Sequence, residues 1–275
     1  MSMTNDIFGN HVTVIGAGTM GAGIAQTFLA TGWKVALVDP SDKQRNNAGS
    51  MIFAAQDGQD YRTTRLQLAE RVEEVAGTDF VIESVPETAE LKGQVLANAE
   101  KVLQPRLLCS NTSSLSISEL ALGLVRPERL VGMHFFQPVP ATQLIELVIG
   151  AQTSPETVEL AVQCTVSLGR KPILVQDSPG FATSRLGVAL GLEAMRMVEE
   201  GIATAEDIDA GMVLGYQHGV GPLRMTDMVG LDIRLAISEH LSRTLGPRFE
   251  PPRILREKVA RGELGRKSGQ GFFTW

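Results

Sequence analysis

The chain has 275 residues, of which 43% are hydrophobic and 20% charged, and its formal net charge at pH 7 is −6. This composition is typical of folded globular proteins and excludes disordered or collagen-like chains, and the acidic balance argues against binding to nucleic acid. No apolar run reaches the roughly 18 residues of a membrane span, and no leader sequence is recognisable. The two cysteines, Cys109 and Cys164, lack metal-ligand spacing, so we expect a cytoplasmic protein with no metal site.

The first predicted elements form a strand–helix–strand unit. An apolar run at 11–15 predicts a buried strand, a glycine-rich turn follows, and a helix over 22–31 leads to a strand at 35–38. A mixed helical region is predicted over 42–74. Strands are then predicted at 80–84, 107–110, 130–135, 141–149 and 172–175, and helices at 90–102, 116–122 and 155–168. This alternation predicts an α/β domain with a doubly wound parallel sheet.

The last third of the chain has a different pattern. Strong strand signals are absent there, and the clearest segments, at 181–201, 204–214 and 230–245, are helical. We therefore predict a sheet-containing domain at residues 1–179 and a smaller all-helical domain at residues 180–275.

A glycine motif of the GxGxxG type lies between the first strand and the first helix. Its glycines permit a sharp turn, approach of a pyrophosphate to the backbone and close packing of helix on strand. Asp39 ends the second strand, where a carboxylate can accept both hydroxyls of an adenosine ribose and repels a 2′-phosphate, so the motif predicts NAD rather than NADP. The alternative is an ordinary turn and a helix-capping aspartate. The residues predicted to bind the cofactor in this turn are Gly16, Gly18, Thr19, Met20 and Gly21.

A histidine and a glutamate are candidates for acid–base chemistry. His134 lies at the carboxyl end of a predicted strand, and Glu146 interrupts the next apolar run. An unpaired buried carboxylate costs several kcal/mol, so Glu146 needs a partner. Pro138 and Pro140 lie between the two segments, and a reversal there would bring Glu146 beside His134 as the residue that orients a general base. In the alternative, Glu146 lies on a solvated strand face and His134 in the core.

Hydroxyl and amide side chains follow another predicted strand end. Ser113, with its neighbours from Asn111 to Ser114, would project into the same crevice. Helix capping explains Ser116, because Glu119 three residues later completes a capping box. It does not explain Ser113.

An ordered set of motifs resembles the L-3-hydroxyacyl-CoA dehydrogenases over nearly the whole chain. The segments are HVTVIGAGTMGAGIA from His11, NTSSLSI from Asn111, GMHFFQPVP from Gly132, LIELV from Leu144, DSPGFATSR from Asp177, GPLRMTDMVGLD from Gly221 and KSGQGFF from Lys267. The resemblance implies a Rossmann-like first domain, an all-helical second domain that mediates dimerisation, and NAD-dependent oxidation of a short-chain 3-hydroxyacyl-CoA to the 3-ketoacyl-CoA in fatty acid metabolism.

The resemblance also implies roles for individual residues. His134 would be the general base, Glu146 would orient it, and Ser113 would contact the substrate oxygen. Glu87 and Lys92 match cofactor-contacting positions, although Lys92 could instead be a solvated helix residue.

Three departures from the family pattern keep other substrates open. Gln137 and Ser184 replace asparagines at positions that line the reaction crevice in the family, and the segment between 39 and 83 is short and lacks a lysine-rich hairpin. Relatives with free substrates, such as carnitine, gulonate and pyridine-carboxylate dehydrogenases, need no CoA clamp. The basic residues between 248 and 267 could meet CoA phosphates or a substrate carboxylate, or form a solvated surface. A dinucleotide-binding protein with low turnover is the third alternative.

Overall fold

The computed structural model describes residues 10–54 and 65–275. The chain forms two compact units, Met1–Asp177 and Ser178–Trp275. No helix in the described residues has the length and apolar character needed to cross a membrane.

The first unit is an eight-stranded sheet with helices packed against it. Its strands are β1 (His11–Ile15), β2 (Lys34–Val38), β3 (Leu66–Ala69), β4 (Phe80–Glu83), β5 (Leu107–Ser110), β6 (Leu130–Phe135), β7 (Leu144–Ile149) and β8 (Lys171–Gln176). Its helices are α1 (Thr19–Ala30), α2 (Asp42–Ala54), α3 (Ala89–Leu103), α4 (Ile117–Ala121) and α5 (Pro155–Ser167). The central strands are short apolar runs buried on both faces, as expected for parallel strands covered by helices.

The strand order places a crevice beside the glycine turn. The order is β3-β2-β1-β4-β5-β6-β7-β8, so the direction of winding reverses between β1 and β4. In open α/β sheets, ligands bind at the carboxyl ends of the strands at such a reversal. The predicted α/β fold with a doubly wound sheet is confirmed, but the sheet is not wholly parallel, since β7 runs antiparallel to β6 and β8 runs parallel to β7.

Two predicted elements of this unit need correction. The predicted mixed helical region over 42–74 is a helix only to Ala54, and its part at 55–64 lies outside the described residues. Residues 66–69 of this region form the edge strand β3, in which only Ala69 is fully buried, and a 3-10 turn follows at Val72–Glu74. The strand predicted from residue 141 starts at Leu144, because a 3-10 turn occupies Val139–Ala141.

The second unit is helical in all of its named elements. They are α6 (Thr183–Glu199), α7 (Ala205–Ala210), α8 (Pro222–Val229), α9 (Leu231–Leu245) and α10 (Arg253–Ala260), with short 3-10 and π-helical turns between and after them. The helix predicted over 204–214 leaves α-helical geometry at Ala210 and continues as a π-helical turn, Gly211–Gly215. The short helices α8 and α10 were not among the predicted segments. Leu192, Met195 and Leu223 belong to a separate hydrophobic core of this unit.

Candidate active site

The glycine turn after β1 is built for close approach of a ligand. Gly16 has a φ of +105°, and a Cβ there would lie 2.5 Å from the backbone oxygen of Ser84. A Cβ on Gly21 would lie 1.8 Å from the Gly16 oxygen, so a glycine is required where α1 packs against the turn. A Cβ on Gly18 would meet nothing within 4 Å, and no side chain caps α1 at this residue. The first amides of α1, from Thr19 and Met20 onward, are therefore suited to an anion.

Asp39 stands beside this turn at the end of β2. One carboxylate oxygen accepts the Ala17 amide at 2.8 Å, and the other accepts the Ser41 amide at 2.9 Å. Asp39 does not cap α2, which begins at Asp42. The carboxylate is held next to the glycine turn and remains half-buried, so a ligand in the crevice can reach it.

The strand pairing brings His134 and Glu146 together. Antiparallel β6 and β7 place the two residues directly opposite each other, and directly opposed residues project from the same face of a sheet. His134 Nδ1 lies 2.9 Å from Glu146 Oε2. Glu146 is fully buried and the His134 side chain is 9% exposed, which excludes a solvated strand face for Glu146. The Phe136 ring stacks at a tilt, 4.5 Å from the imidazole centroid.

Asn111 links the ends of three strands close to His134. It follows β5, its Nδ2 donates to Ser84 Oγ at 3.2 Å after β4, and its Oδ1 accepts the amide of Phe135 at 2.9 Å in β6. The side chain therefore fixes the backbone next to the imidazole. Sequence analysis noted Asn111 only as a polar neighbour of Ser113.

Glu87 is hydrogen-bonded to the polar loop that follows β5. Its Oε1 accepts hydrogen bonds from the hydroxyls of Thr112, Ser113 and Ser114 and from the amides of Ser113 and Ser114, at 2.6 to 3.3 Å. Burial alone would raise the pKa of Glu87, but the Lys92 ammonium and these hydrogen bonds outweigh it and hold the pKa below the ordinary value of 4.5. Ser113 is thus joined to Glu87.

Lys92 is buried in an ion pair. Its side chain is 1% exposed, and Nζ lies 2.7 Å from Glu83 Oε1, 3.0 Å from the Val85 oxygen and 3.3 Å from Glu87 Oε2. The second Glu83 oxygen accepts the hydroxyl of Ser110 at 2.6 Å. The alternative that Lys92 is a solvated helix residue is therefore wrong. Glu83 was not among the predicted site residues, although an acid at the end of the apolar run in β4 is the same signal that singled out Glu146.

An open cleft of about 460 Å³ adjoins the glycine turn. Thr19, Gly23 and Met51 line one part of it, and Gln137 and Val139 another. Thr19 and Gln137, predicted from separate motifs, therefore share one cleft. Ser184 is half-buried in the first turn of α6, in the second unit.

Comparisons with known proteins cover nearly the whole chain. A family model described as the NAD binding domain of 3-hydroxyacyl-CoA dehydrogenase matches residues 11–178, and one described as its C-terminal domain matches residues 180–275. A probable 3-hydroxybutyryl-CoA dehydrogenase of Deinococcus radiodurans is 36% identical over 274 residues, which are 95% of this chain and 99% of that protein.

A mitochondrial relative and a solved structure show comparable sequence identity to this chain. The mitochondrial hydroxyacyl-coenzyme A dehydrogenase of Sus scrofa is 35% identical over 285 residues, 96% of this chain and 91% of that protein. The crystal structure of (S)-3-hydroxybutyryl-CoA dehydrogenase PaaH1 from Ralstonia eutropha matches with a TM-score of 0.92 and 37% identity, and the match covers 97% of this chain and 99% of that chain.

Proposed function

Since the chain belongs to the family of 3-hydroxyacyl-CoA dehydrogenases, we propose that it oxidises the 3-hydroxyl of a short-chain L-3-hydroxyacyl-CoA, with His134 as the general base. The protein is an NAD-dependent oxidoreductase acting on CH–OH groups. The names of its relatives, among them 3-hydroxybutyryl-CoA dehydrogenases, support a short acyl chain. We retain the division into domains at residues 1–179 and 180–275 as part of this proposal.

The glycine turn and its neighbours fit the dinucleotide. The open space at Gly18 and the uncapped start of α1 suit a pyrophosphate, and Gly16 and Gly21 maintain the turn. The Asp39 carboxylate beside the turn would accept ribose hydroxyls and repel a 2′-phosphate. We further assign Thr19, Met20 and Glu87 to cofactor binding, and Lys92 to this site through its ion pair with Glu87, since its own side chain is buried. Bound by these residues, NAD would supply the hydride acceptor for oxidation at carbon 3 of the substrate.

One observation supports the assignment of the base above all others, the buried hydrogen bond between His134 and Glu146. A carboxylate can only accept a hydrogen bond, so the contact with Glu146 requires the proton of the neutral imidazole to be on Nδ1, which leaves Nε2 as the nitrogen able to take a proton. His134 would remove the hydroxyl proton as the C–H bond breaks, and the carboxylate stabilises the imidazolium that forms. The carbonyl group then forms at carbon 3, and the imidazolium returns its proton to solvent.

Polar residues around this pair would position the substrate. Ser113 is oriented by Glu87 through two hydrogen bonds, and its hydroxyl would contact the reacting oxygen. Gln137 lines the cleft beside Thr19, and we assign it, with Ser184, to substrate binding. Gln137 and Ser184 can donate and accept hydrogen bonds, as the asparagines at these family positions would.

The assembly and location of the protein are also part of the proposal. The second unit exposes large apolar side chains that a second copy of the chain would cover, with Leu186 70%, Leu214 81% and Tyr216 75% exposed. We therefore expect a homodimer. Both cysteines are buried free thiols, which fits the reducing cytoplasm.

The substrate is tested by following NADH absorbance at 340 nm with L-3-hydroxybutyryl-CoA and NAD. Parallel reactions contain carnitine, gulonate or a pyridine alcohol. We expect NADH formation with the CoA thioester and at least 100-fold lower kcat/KM with the free compounds. If a free compound is oxidised and the CoA thioester is not, the substrate is a hydroxy acid or alcohol that is oxidised by the same residues. NADH binding with no turnover of any compound would favour the binding-protein alternative.

A further inference from the structure

Arg234, in α9 of the second unit, is a buried cation with no acidic partner among the residues that the structure describes. The residue is 8% exposed, and its Nε has no hydrogen-bond partner. Within residues 10–54 and 65–275, no acidic side chain forms an ion pair with it. Asp232, the nearest acid along α9, is paired with Lys267 at 2.6 Å. A buried guanidinium without a partner is costly, and such costs persist where a ligand offsets them.

The guanidinium lies against α6 next to Gly187. A Cβ built on Gly187 would be 3.6 Å from Nη1 and 3.8 Å from Nη2 of Arg234, so the arginine head group lies within van der Waals contact of α6 at this position. Ser184 precedes Gly187 by three residues, and residues at this spacing share a helix face. Burial lowers the pKa of Arg234 to about 10, and no neighbouring carboxylate counteracts this effect. Arg234 therefore lies beside the face of α6 that presents Ser184.

We propose that Arg234 binds a carboxylate of the substrate, so that the preferred substrate carries a negative group besides its 3-hydroxyl. This inference rests on the proposed function, in which Ser184 contacts the substrate. The terminal nitrogens Nη1 and Nη2 form a fork of parallel donors, a geometry that matches the two oxygens of a carboxylate. The substrate class is then a 3-hydroxyacyl thioester whose far end is a carboxylate.

A carboxylate fits this position better than a phosphate. The cost of burying an ion rises steeply with its charge, and a phosphate monoester carries up to two charges where a carboxylate carries one. The carboxylate could come from the far end of a dicarboxylic acyl group or from a free hydroxy acid. Both sources present the same group to Arg234, and the substrates of the test separate them.

The test compares kcat/KM for substrates of equal length. We would measure NADH formation with L-3-hydroxyadipyl-CoA, which ends in a carboxylate, and with L-3-hydroxyhexanoyl-CoA, which ends in a methyl group. Free 3-hydroxybutyrate and 3-hydroxyadipate form the second arm. The enzymes are the wild type, Arg234→Met, Arg234→Lys and the control Arg243→Met, which changes an exposed arginine on the same helix.

The wild type should prefer the adipyl thioester at least tenfold. Arg234→Met should lower kcat/KM for that substrate about 100-fold and leave the hexanoyl thioester within threefold, because only the former loses a buried charge pair. Arg234→Lys should retain part of the preference through its charge, and Arg243→Met should behave as wild type. Because Arg234→Met removes an uncompensated buried charge, its melting temperature should equal or exceed that of the wild type.

Other results are equally decisive. Equal losses on both thioesters, or a lower melting temperature with no change in preference, would make Arg234 a structural residue and overturn the inference. Turnover of the free acids that depends on Arg234, without turnover of the thioesters, would support the carboxylate site and reject CoA as part of the substrate. If the wild type oxidises the hexanoyl thioester alone, the inference fails and the proposed function stands. If it oxidises no substrate, both fail.

Discussion

Replacing Lys92 with methionine should destabilise the first unit strongly. The ammonium is 1% exposed and the Glu83 carboxylate fully buried, so the change leaves an uncompensated charge inside the fold. Breaking a buried ion pair in this way costs about 3–5 kcal/mol. Two of the hydrogen bonds to Glu83, from the Val85 amide and the Ser110 hydroxyl, survive the change, so we expect the lower part of this range. A loss of about 3 kcal/mol corresponds to a fall in melting temperature of roughly 6–12 °C for a unit of this size.

The measurement is thermal and urea unfolding followed by circular dichroism. Lys101→Met, at an exposed position of the same helix, should remain within about 0.5 kcal/mol of the wild type. The double variant Lys92→Met with Glu83→Gln removes both charges. It should recover at least 1 kcal/mol of the stability lost in Lys92→Met, because a neutral amide costs less to bury than an unpaired carboxylate. A Lys92→Met protein as stable as the wild type, or a double variant less stable than the single one, would refute this reasoning.

Three further predictions concern the crevice. Gly21→Ala should weaken NADH binding at least tenfold in a fluorescence titration, because the added carbon meets the Gly16 oxygen, whereas Gly93→Ala, with open space around it, should not. Asn111→Ala leaves the Phe135 amide without its acceptor and should lower kcat about tenfold with NADH affinity unchanged. Because the pKa of Glu87 lies below 4.5, its contacts stabilise the fold above pH 4.5 and are lost as the pH falls through the folded value. The stability difference between wild type and Glu87→Gln in urea titrations should therefore be constant above pH 4.5 and shrink below it.

These predictions have clear contrary outcomes. Equal NADH affinity of Gly21→Ala and Gly93→Ala would show that the turn adapts to a Cβ. An unchanged kcat in Asn111→Ala would mean that the end of β6 keeps its position without the Asn111 side chain. A stability difference that grows in acid would mean that ionised Glu87 destabilises the fold.

Buried charge was the most informative signal in the sequence. An acid inside an apolar run predicted a partner for Glu146, and the pairing of β6 with β7 supplies it. The same reasoning applied to Glu83 would have predicted a buried cation. It was missed because Glu83 ends its strand, where a charge is ordinarily taken as solvated.

Strand direction and edge strands could not be predicted from periodicity. An apolar run such as Leu144–Ile149 has the same pattern whether it runs parallel or antiparallel to its neighbour. Its antiparallel direction depends on the connection from β6, which contains the 3-10 turn Val139–Ala141. Strand β3 has four residues at the edge of the sheet, two of them exposed, so it lacks the fully buried run that marks the central strands. The role of Asn111 depends on three strand ends that meet only in the fold.

The most direct test of the account is the His134→Asn variant, assayed for NADH formation with L-3-hydroxybutyryl-CoA and for NADH binding by fluorescence. We predict that the variant binds NADH with wild-type affinity and turns over at least 100-fold more slowly, since a general base contributes about 10²–10⁴ in rate. A His134→Asn protein that oxidises the substrate at the wild-type rate would remove the imidazole from the mechanism and contradict the account.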